Sequence, residues 1–239
     1  MTTPATSPRV LVVSASDARF MPFLRGLISS IATNLAAPGV SFACLDLGLG
    51  ADDREWLEQQ GCLCVAPRTH LGVAQEDHSP ALRSFLARPF LREYFPGYDV
   101  YLWIDSDVWL QDTSVFQDYV AGALERGMAI THEREQAYRF QLWLLAWTGK
   151  HMLLGYGPFT TAHLLLRRHL NAGFFAIRSD APHWEAWARR YDAAIKRTGS
   201  LVPHDQFALN QAIYGDLVGG EGGLNTTFLD PRCNWICDR

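Results

Sequence analysis

Asp105 and Asp107 close an apolar run, "VYLWIDSDVWLQD" (residues 100–112), and two carboxylates one residue apart can share a cation. In an extended segment, side chains at i and i+2 point the same way, so the two acids would converge while Ser106 turns aside. Carboxylate oxygens suit Mg2+ or Mn2+, which usually complete their shell with water and substrate phosphate. The competing reading is a polar strand end with two solvated aspartates, and a bare Asp-x-Asp favours it. Here Val108, Trp109 and Leu110 continue the apolar run, where unpaired carboxylates are costly. On this stretch alone both readings stay open.

Other residues test what such a site would do. "NAGFF" sets Asn171 and Ala172 beside Gly173, where backbone can approach a ligand, although a bulge in a core strand accounts for it too. "HDQFALN" puts Asp205 and Gln206 at a helix start. Capping explains Asp205, but not Gln206 or Asn210 one turn on. There is no Gly-rich phosphate loop, no G-x-G-x-x-G and no G-x-S-x-G, so ATPase, dinucleotide and serine-hydrolase chemistry lack support. The eight histidines form no H-E-x-x-H or other tight ligand pair.

A net charge of −4 leaves no electrostatic footprint for nucleic acid. Of the 21 basic residues only Lys150 and Lys196 are lysine, and the arginines offer planar forks suited to phosphate. Five cysteines (Cys44, Cys62, Cys64, Cys233, Cys237) lack zinc-type spacing and are expected to be reduced thiols, the 62/64 pair in or near a core. A Cys233–Cys237 pairing is open to the chain but not required by it. The start, "MTTPATSPRVLVVSASD", has no basic stretch followed by an apolar one. No apolar run approaches the ~20 residues that span a bilayer. A cytoplasmic protein is expected, at most peripheral to a membrane.

The elements that must position these residues alternate. "RVLVVSAS" (9–16), "VSFACLDLG" (40–48), "CLCVAP" (62–67) and "DVYLWID" (99–105) read as strands. Between them lie helical patterns at "FMPFLRGLISSIATNL", at "DDREWLEQQG" with Asp52 as N-cap and Gly61 as stop, and at "ALRSFLARPFLREYF" with Pro89 interrupting. "GMAITH" (127–132) and "NAGFFAIRS" (171–179) follow as strands. "DAPHWEAWARRYDAAIKRTG", capped by Asp180, and "PHDQFALNQAIYG" read as helices. The alternation predicts one α/β domain over 1–239, with a mostly parallel sheet, helices on both faces and ligands at the strands' carboxyl ends.

In this order, "SASDARFMPFLRGLISSI", "ARPFLREYFPGYDVYLWIDSDVWLQD", "NAGFFAIRS" and "HDQFALNQAIYG" resemble the nucleotide-sugar glycosyltransferases of the GT-A fold, most closely glycosyltransferase family 8, over most of residues 9–215. The resemblance implies transfer of a sugar from a nucleotide-diphosphate donor, a UDP-sugar in the first instance, with retention of configuration. Ser16 and Asp17 would meet the uracil or ribose, with Phe20 packing nearby, and Arg88 would face the donor. Asp105 and Asp107, with Ser106 between them, would hold Mn2+ or Mg2+ at the diphosphate. Asn171, Ala172 and Gly173 would line the sugar pocket, and Asp205 and Gln206 would face the sugar near its anomeric carbon. Family 8 takes a third metal ligand from a C-terminal His in a segment ending Lys-Pro-Trp. No His follows His204 here, so that ligand is unassigned.

Residues 136–160 interrupt the family pattern and are rich in aromatics. Trp143, Trp147, Tyr156 and Phe159 are candidates for stacking on a saccharide, lipid or small-molecule acceptor, or for the core of a buried helix. Arg139 and Lys150 flank them, a thin basic face for membrane contact. A haloacid-dehalogenase-like phosphatase is the rival reading, with Asp105 as nucleophile, Asp107 as general acid, and Thr131 and Lys150 in later motifs. Against it, Val108-Trp109 stands where Gly-Thr is usual. A third reading is a non-catalytic nucleotide-sugar-binding protein.

Overall fold

Val10–Ser16 (β1) and Val100–Ile104 (β4) are buried along their whole length, as expected of strands covered on both faces. They pair in parallel at the centre of a seven-stranded sheet whose other strands are Val40–Asp46 (β2), Leu63–Val65 (β3), Met128–His132 (β5), Leu170–Arg178 (β6) and Thr227–Leu229 (β7). The order is β3-β2-β1-β4-β6-β5-β7. β6 alone runs antiparallel to its neighbours, lying between β4 and β5; the remaining pairs are parallel. The computed structural model describes residues 7–34, 39–68, 70–73, 78–133, 142–201, 204–216 and 222–235. Cys237 and Arg139 lie outside them.

Alternation along the strands sorts side chains to two cores. Leu11, Val13, Tyr101, Trp103, Phe175 and Ile177 face one side, and Val10, Val12, Leu102, Ile104, Phe174 and Ala176 face the other. Met21–Asn34 (α1) and Ala51–Gln59 (α2) cover the second side together with Thr113–Arg126 (α5), a helix the sequence reading left unassigned, as it did β7. The first side is covered by Pro80–Ala87 (α3), Leu91–Tyr94 (α4), His183–Thr198 (α7) and His204–Tyr214 (α8). Leu142–Leu165 (α6) packs against α7 and α8.

Pro89 does interrupt its helix: a 3-10 turn, Arg88–Phe90, separates α3 from α4. Two expected caps are corrected. Gly50, in extended conformation, precedes α2, and Asp52 sits inside its first turn. Pro182 precedes α7, and Asp180 instead accepts from Nε of Arg178 at 2.5 Å. Cys44 and Cys62 are buried, Cys64 and Cys233 half-buried, and all four are free thiols.

His183, at the start of α7, is 1% exposed. Its Nε2 lies 3.0 Å from Oγ1 of Thr226, whose own hydroxyl donates to the Leu224 carbonyl. That leaves Nε2 as donor and Nδ1 buried without a partner, the neutral tautomer. Burial, with Arg178 adding, lowers its pKa from 6.5 to about 4. Between those two values the unfolded chain takes up a proton that the fold refuses, so stability falls as pH drops. The slope is about 1.4 kcal/mol per pH unit. His204, which burial also lowers to about 4, contributes in the same direction, so urea midpoints at pH 7 and pH 5 read the sum and His183→Gln is expected to remove about half of the dependence. An unchanged slope in that variant would assign the acid sensitivity elsewhere.

Candidate active site

β4 ends at Ile104, and Asp105-Ser106-Asp107 form a turn closed by Val108 N donating to the Asp105 carbonyl at 3.1 Å. The expected strand geometry, with Ser106 turned aside, is therefore corrected. The chain bends after Ile104, and all three residues line one cleft of about 350 Å³. Ser16, Asp17 and Phe20 reach it from the end of β1, and Ser84, Phe85 and Arg88 from α3 and the turn that follows. Parallel pairing of β1 with β4 puts both carboxyl ends on the same edge, so "SASD" and "DSD" meet there.

Across β4, register makes the next junction. Trp103 faces Phe175 and Ile104 faces Phe174, so the step beyond the strand sets Asp105 opposite Gly173. Asp105 N donates to the Gly173 carbonyl at 2.8 Å. A Cβ on residue 173 would lie 2.8 Å from Oδ2 of Asp105 and 3.0 Å from Oδ1 of Asn171. Only glycine fits. Gly173→Ala is expected to cost about 1–3 kcal/mol by overpacking, and to weaken any ligand held by Oδ2. Thermal melts with and without Mn2+ separate the two effects.

Arg88 ties the halves together. It is 5% exposed, and its Nη2 donates to Oδ1 of Asp105 at 2.7 Å while Nη1 donates to Oδ2 of Asp205 at 3.1 Å. The guanidinium carbon lies 4.7 Å from the centre of the Phe85 ring and 4.8 Å from that of Trp103. Trp103 Nε1 also donates to Oδ1 of Asp105 at 2.8 Å. Burial pushes the Asp105 carboxyl up, opposed by Arg88 and the Trp103 N–H, with Asp107 adding to the rise. Burial likewise raises Asp205, with Arg88 opposing.

Asp205 is 4% exposed and sits behind Arg88, not among the residues that line the cleft. Trp187 Nε1 donates to its carbonyl at 2.7 Å, fixing the start of α8. Gln206 is held at both ends of its amide. Oε1 accepts from Ala172 N at 3.4 Å, and Nε2 donates to Oε2 of Glu133 at 3.0 Å. Asn210 Nδ2 donates to the Gln206 carbonyl at 2.8 Å, and its Oδ1 accepts from Leu170 N at 2.9 Å. Asn171 turns Oδ1 back to Gly173 N at 2.7 Å. Asp17 caps the first turn before α1, with Oδ1 accepting from Arg19 N and Phe20 N, and it also borders the cleft.

Sequence reasoning missed Trp103, Phe85 and Glu133. Trp103 carried a signal, since the extended reading of residues 99–105 sets it two residues before Asp105 and on the same side. Phe85 carried another, three residues before Arg88 on a helix. Glu133 had none. Neither Thr131, buried in β5, nor Lys150, exposed on α6, lines the cleft.

Among the described residues no three His, Cys, Asp or Glu side chains converge. A cation here would rest on Asp105 and Asp107. The donor set suits a hard divalent ion: Oδ1 of Asp105 is engaged by Trp103 and Arg88, while the absent side chain at Gly173 leaves room at Oδ2.

The chain has the GT-A fold, as its likeness to solved structures of that fold shows. The solved structure of the galactosyltransferase LgtC in complex with donor and acceptor sugar analogs matches with a TM-score of 0.57 at 18% identity, over 93% of this chain and 74% of that chain. GlyE of Streptococcus pneumoniae TIGR4 matches with a TM-score of 0.58 at 14% identity, over 95% of this chain and 47% of that one. The bifunctional glycosyltransferase WbbM matches with 0.51 at 15%, over 82% and 38%. At these identities the likeness is one of fold. No family model and no curated protein matches the sequence.

Proposed function

We propose that this chain is a glycosyltransferase that moves a sugar from a nucleoside-diphosphate sugar, a UDP-sugar in the first instance, to a hydroxyl acceptor. The observation that carries the reading is the convergence of Asp17, Arg88, Asp105 and Asp107 on one cleft, with Asp205 bonded behind Arg88 and Gly173 behind Asp105, while Asn171 and Gln206 hold the Asn-Ala-Gly segment outside the lining. Mn2+ or Mg2+ held by Asp105 and Asp107 would act as a Lewis acid toward the departing diphosphate. Phe20 and Phe85 offer apolar faces for a base, and Ser16 and Asp17 offer polar atoms for uracil or ribose. Asp205 acts through Arg88: it holds one side of the guanidinium while Asp105 holds the other. Gln206, clamped between Ala172 N and Glu133, sets the position of the Asn-Ala-Gly segment at the sugar.

In the proposed step the bond from the anomeric carbon to the donor phosphate oxygen breaks, and one to the acceptor oxygen forms. The acceptor's proton passes to the departing diphosphate. Asp205, which the family resemblance sets near the sugar, is buried and pinned to Arg88. Attack from the face the diphosphate leaves therefore accounts for retention without a carboxylate nucleophile.

Incubation with a panel of UDP-sugars and Mn2+ tests the reading. Slow UDP release from one donor, stopped by EDTA, is expected, and the anomeric configuration of purified product by NMR reads retention. Phosphate release from monoesters would instead favour the phosphatase. Metal-dependent thermal shift without turnover, even with candidate acceptors, would favour a binding protein.

A further inference from the structure

α6 is apolar on the side it turns to solvent. Its buried residues Met152 and Leu164 pack on Phe207 of α8, and a Cβ at Gly155 would lie 2.7 Å from the His204 ring, so that side is closed. On the open side Trp143 is 67% exposed, Phe159 69% and Leu166, just beyond the helix, 87%; Trp147, Leu153, Leu154 and Leu165 are exposed as well. Trp143, Trp147, Lys150 and Leu154 fall at i, i+4, i+7 and i+11 along one face. Gly157 (φ 79°, ψ 173°) breaks the helix ahead of Pro158, and the apolar exposure resumes beyond the break. A helix covering a soluble core turns polar residues outward. This one does the opposite.

Charge says what covers the ridge. From residue 142 to residue 169 there is no Asp or Glu, and the fixed charges are Lys150, Arg167 and Arg168, all exposed. Beside the break, a second cleft of about 390 Å³ opens between α6 and α7, lined by Arg189, Arg190, Arg197 and Asp216 among others. Arg190 forks onto Asp216 at 3.0 and 3.2 Å. Arg197 brings its guanidinium to the break itself, 3.5 Å from where a Cβ on Gly157 would sit. Arg197 therefore stands at Gly157, two positions before exposed Phe159 in the chain. Pairing this face with a second copy would bring the cationic residues of both copies together. An anionic lipid surface accepts both the aromatics and the charge. No helix among the described residues is long and apolar enough to cross a membrane, so the fitting orientation is along the surface.

We propose that α6 and the arginine cleft beside it form a docking surface for an anionic membrane. The exposed Trp, Leu and Phe side chains enter the headgroup–acyl boundary, and Lys150 and Arg197 take lipid phosphate. Tyr156 Oη donates to the His204 carbonyl at 3.0 Å, joining this surface to the helix that carries Asp205 and Gln206. The docking surface does not depend on the sugar-transfer reading, because it is tested without donor or metal.

Co-sedimentation of the full chain with vesicles of phosphatidylcholine alone, or mixed with phosphatidylglycerol, is the test. Partition into the mixed vesicles, weakened by salt, is expected. The triple variant Trp143→Ser, Trp147→Ser, Phe159→Ser should lower it by about tenfold or more. Lys150→Glu with Arg197→Glu should erase the preference for phosphatidylglycerol. All five positions are exposed, and circular dichroism and melting temperature check that the variants stay folded. Equal partition into both vesicle types, no partition, or variants that behave as the parent would overturn the proposal. So would a concentration-dependent dimer that the triple variant dissolves, since the ridge would then belong to a second copy.

Discussion

Asp107→Asn is expected to lower metal-dependent release of nucleotide from the donor by about a thousandfold while leaving the melting temperature unchanged. The separation follows from where the residue stands. Asp107 is exposed in the turn after β4, borders the cleft, and makes no hydrogen bond or ion pair among the described residues. Asparagine keeps its shape and removes its charge, so what is lost is affinity for a cation and not packing. Asp105→Asn is a poorer probe, because Oδ1 of Asp105 also anchors Arg88 and Trp103 and the variant would lose stability as well. Two readouts make the result decisive: initial rates over a Mn2+ titration, and a thermal melt on the same preparation. A higher metal requirement with unchanged melting is the expected pair. Undiminished turnover in Asp107→Asn would remove the cation from this turn and with it the assignment of the cleft to a diphosphate.

The parts of this site that were legible in the sequence are those set by local rules. Apolar runs with turn residues after them gave β1 and β4 and their carboxyl ends, and the helix break at Pro89 followed from its missing N–H. What the sequence did not reveal is long-range or competes with a stronger local feature. Gly173 meets Asp105 because β6 pairs antiparallel with β4, and Arg88 meets Asp205 across 117 positions of chain; no periodicity encodes either. The i, i+2 argument for Asp105 and Asp107 went astray because it carried the extended conformation past Ile104 through Asp107, which the chain makes a turn. Asp52 and Asp180 looked like caps by type, yet Gly50 and Pro182 occupy those places. For α6, apolar on all sides, which face would be buried depended wholly on α7 and α8, elements that come later in the chain.

Arg88→Met should destabilise the fold by about 3–5 kcal/mol, the largest stability effect expected of any substitution at the cleft. One guanidinium, 6% exposed at its side chain, serves two carboxylates from distant segments, Asp105 on β4's exit and Asp205 at the start of α8. Removing it takes away the one cation that serves both acids and leaves only the Trp103 N–H at Asp105 and the Gln206 backbone N–H at Asp205 against the cost of burying their charge. Arg88→Lys should recover only part of the loss, since a single ammonium cannot fork to both oxygens while lying flat between Phe85 and Trp103. The double variant Arg88→Met, Asp205→Asn identifies the cause. If the penalty is the uncompensated charge of Asp205, the second substitution restores much of the urea midpoint; if it is lost packing, the two costs simply add. A cost below about 1 kcal/mol for Arg88→Met would mean that the pair is solvated and weak, and that Asp105 is not held in place by Arg88. The contrast with Asp107 is the sharper consequence of this geometry. At Arg88 stability and turnover should fall together, because the residue that bridges buried Asp205 and half-buried Asp105 is also a wall of the cleft. At Asp107 turnover should fall alone.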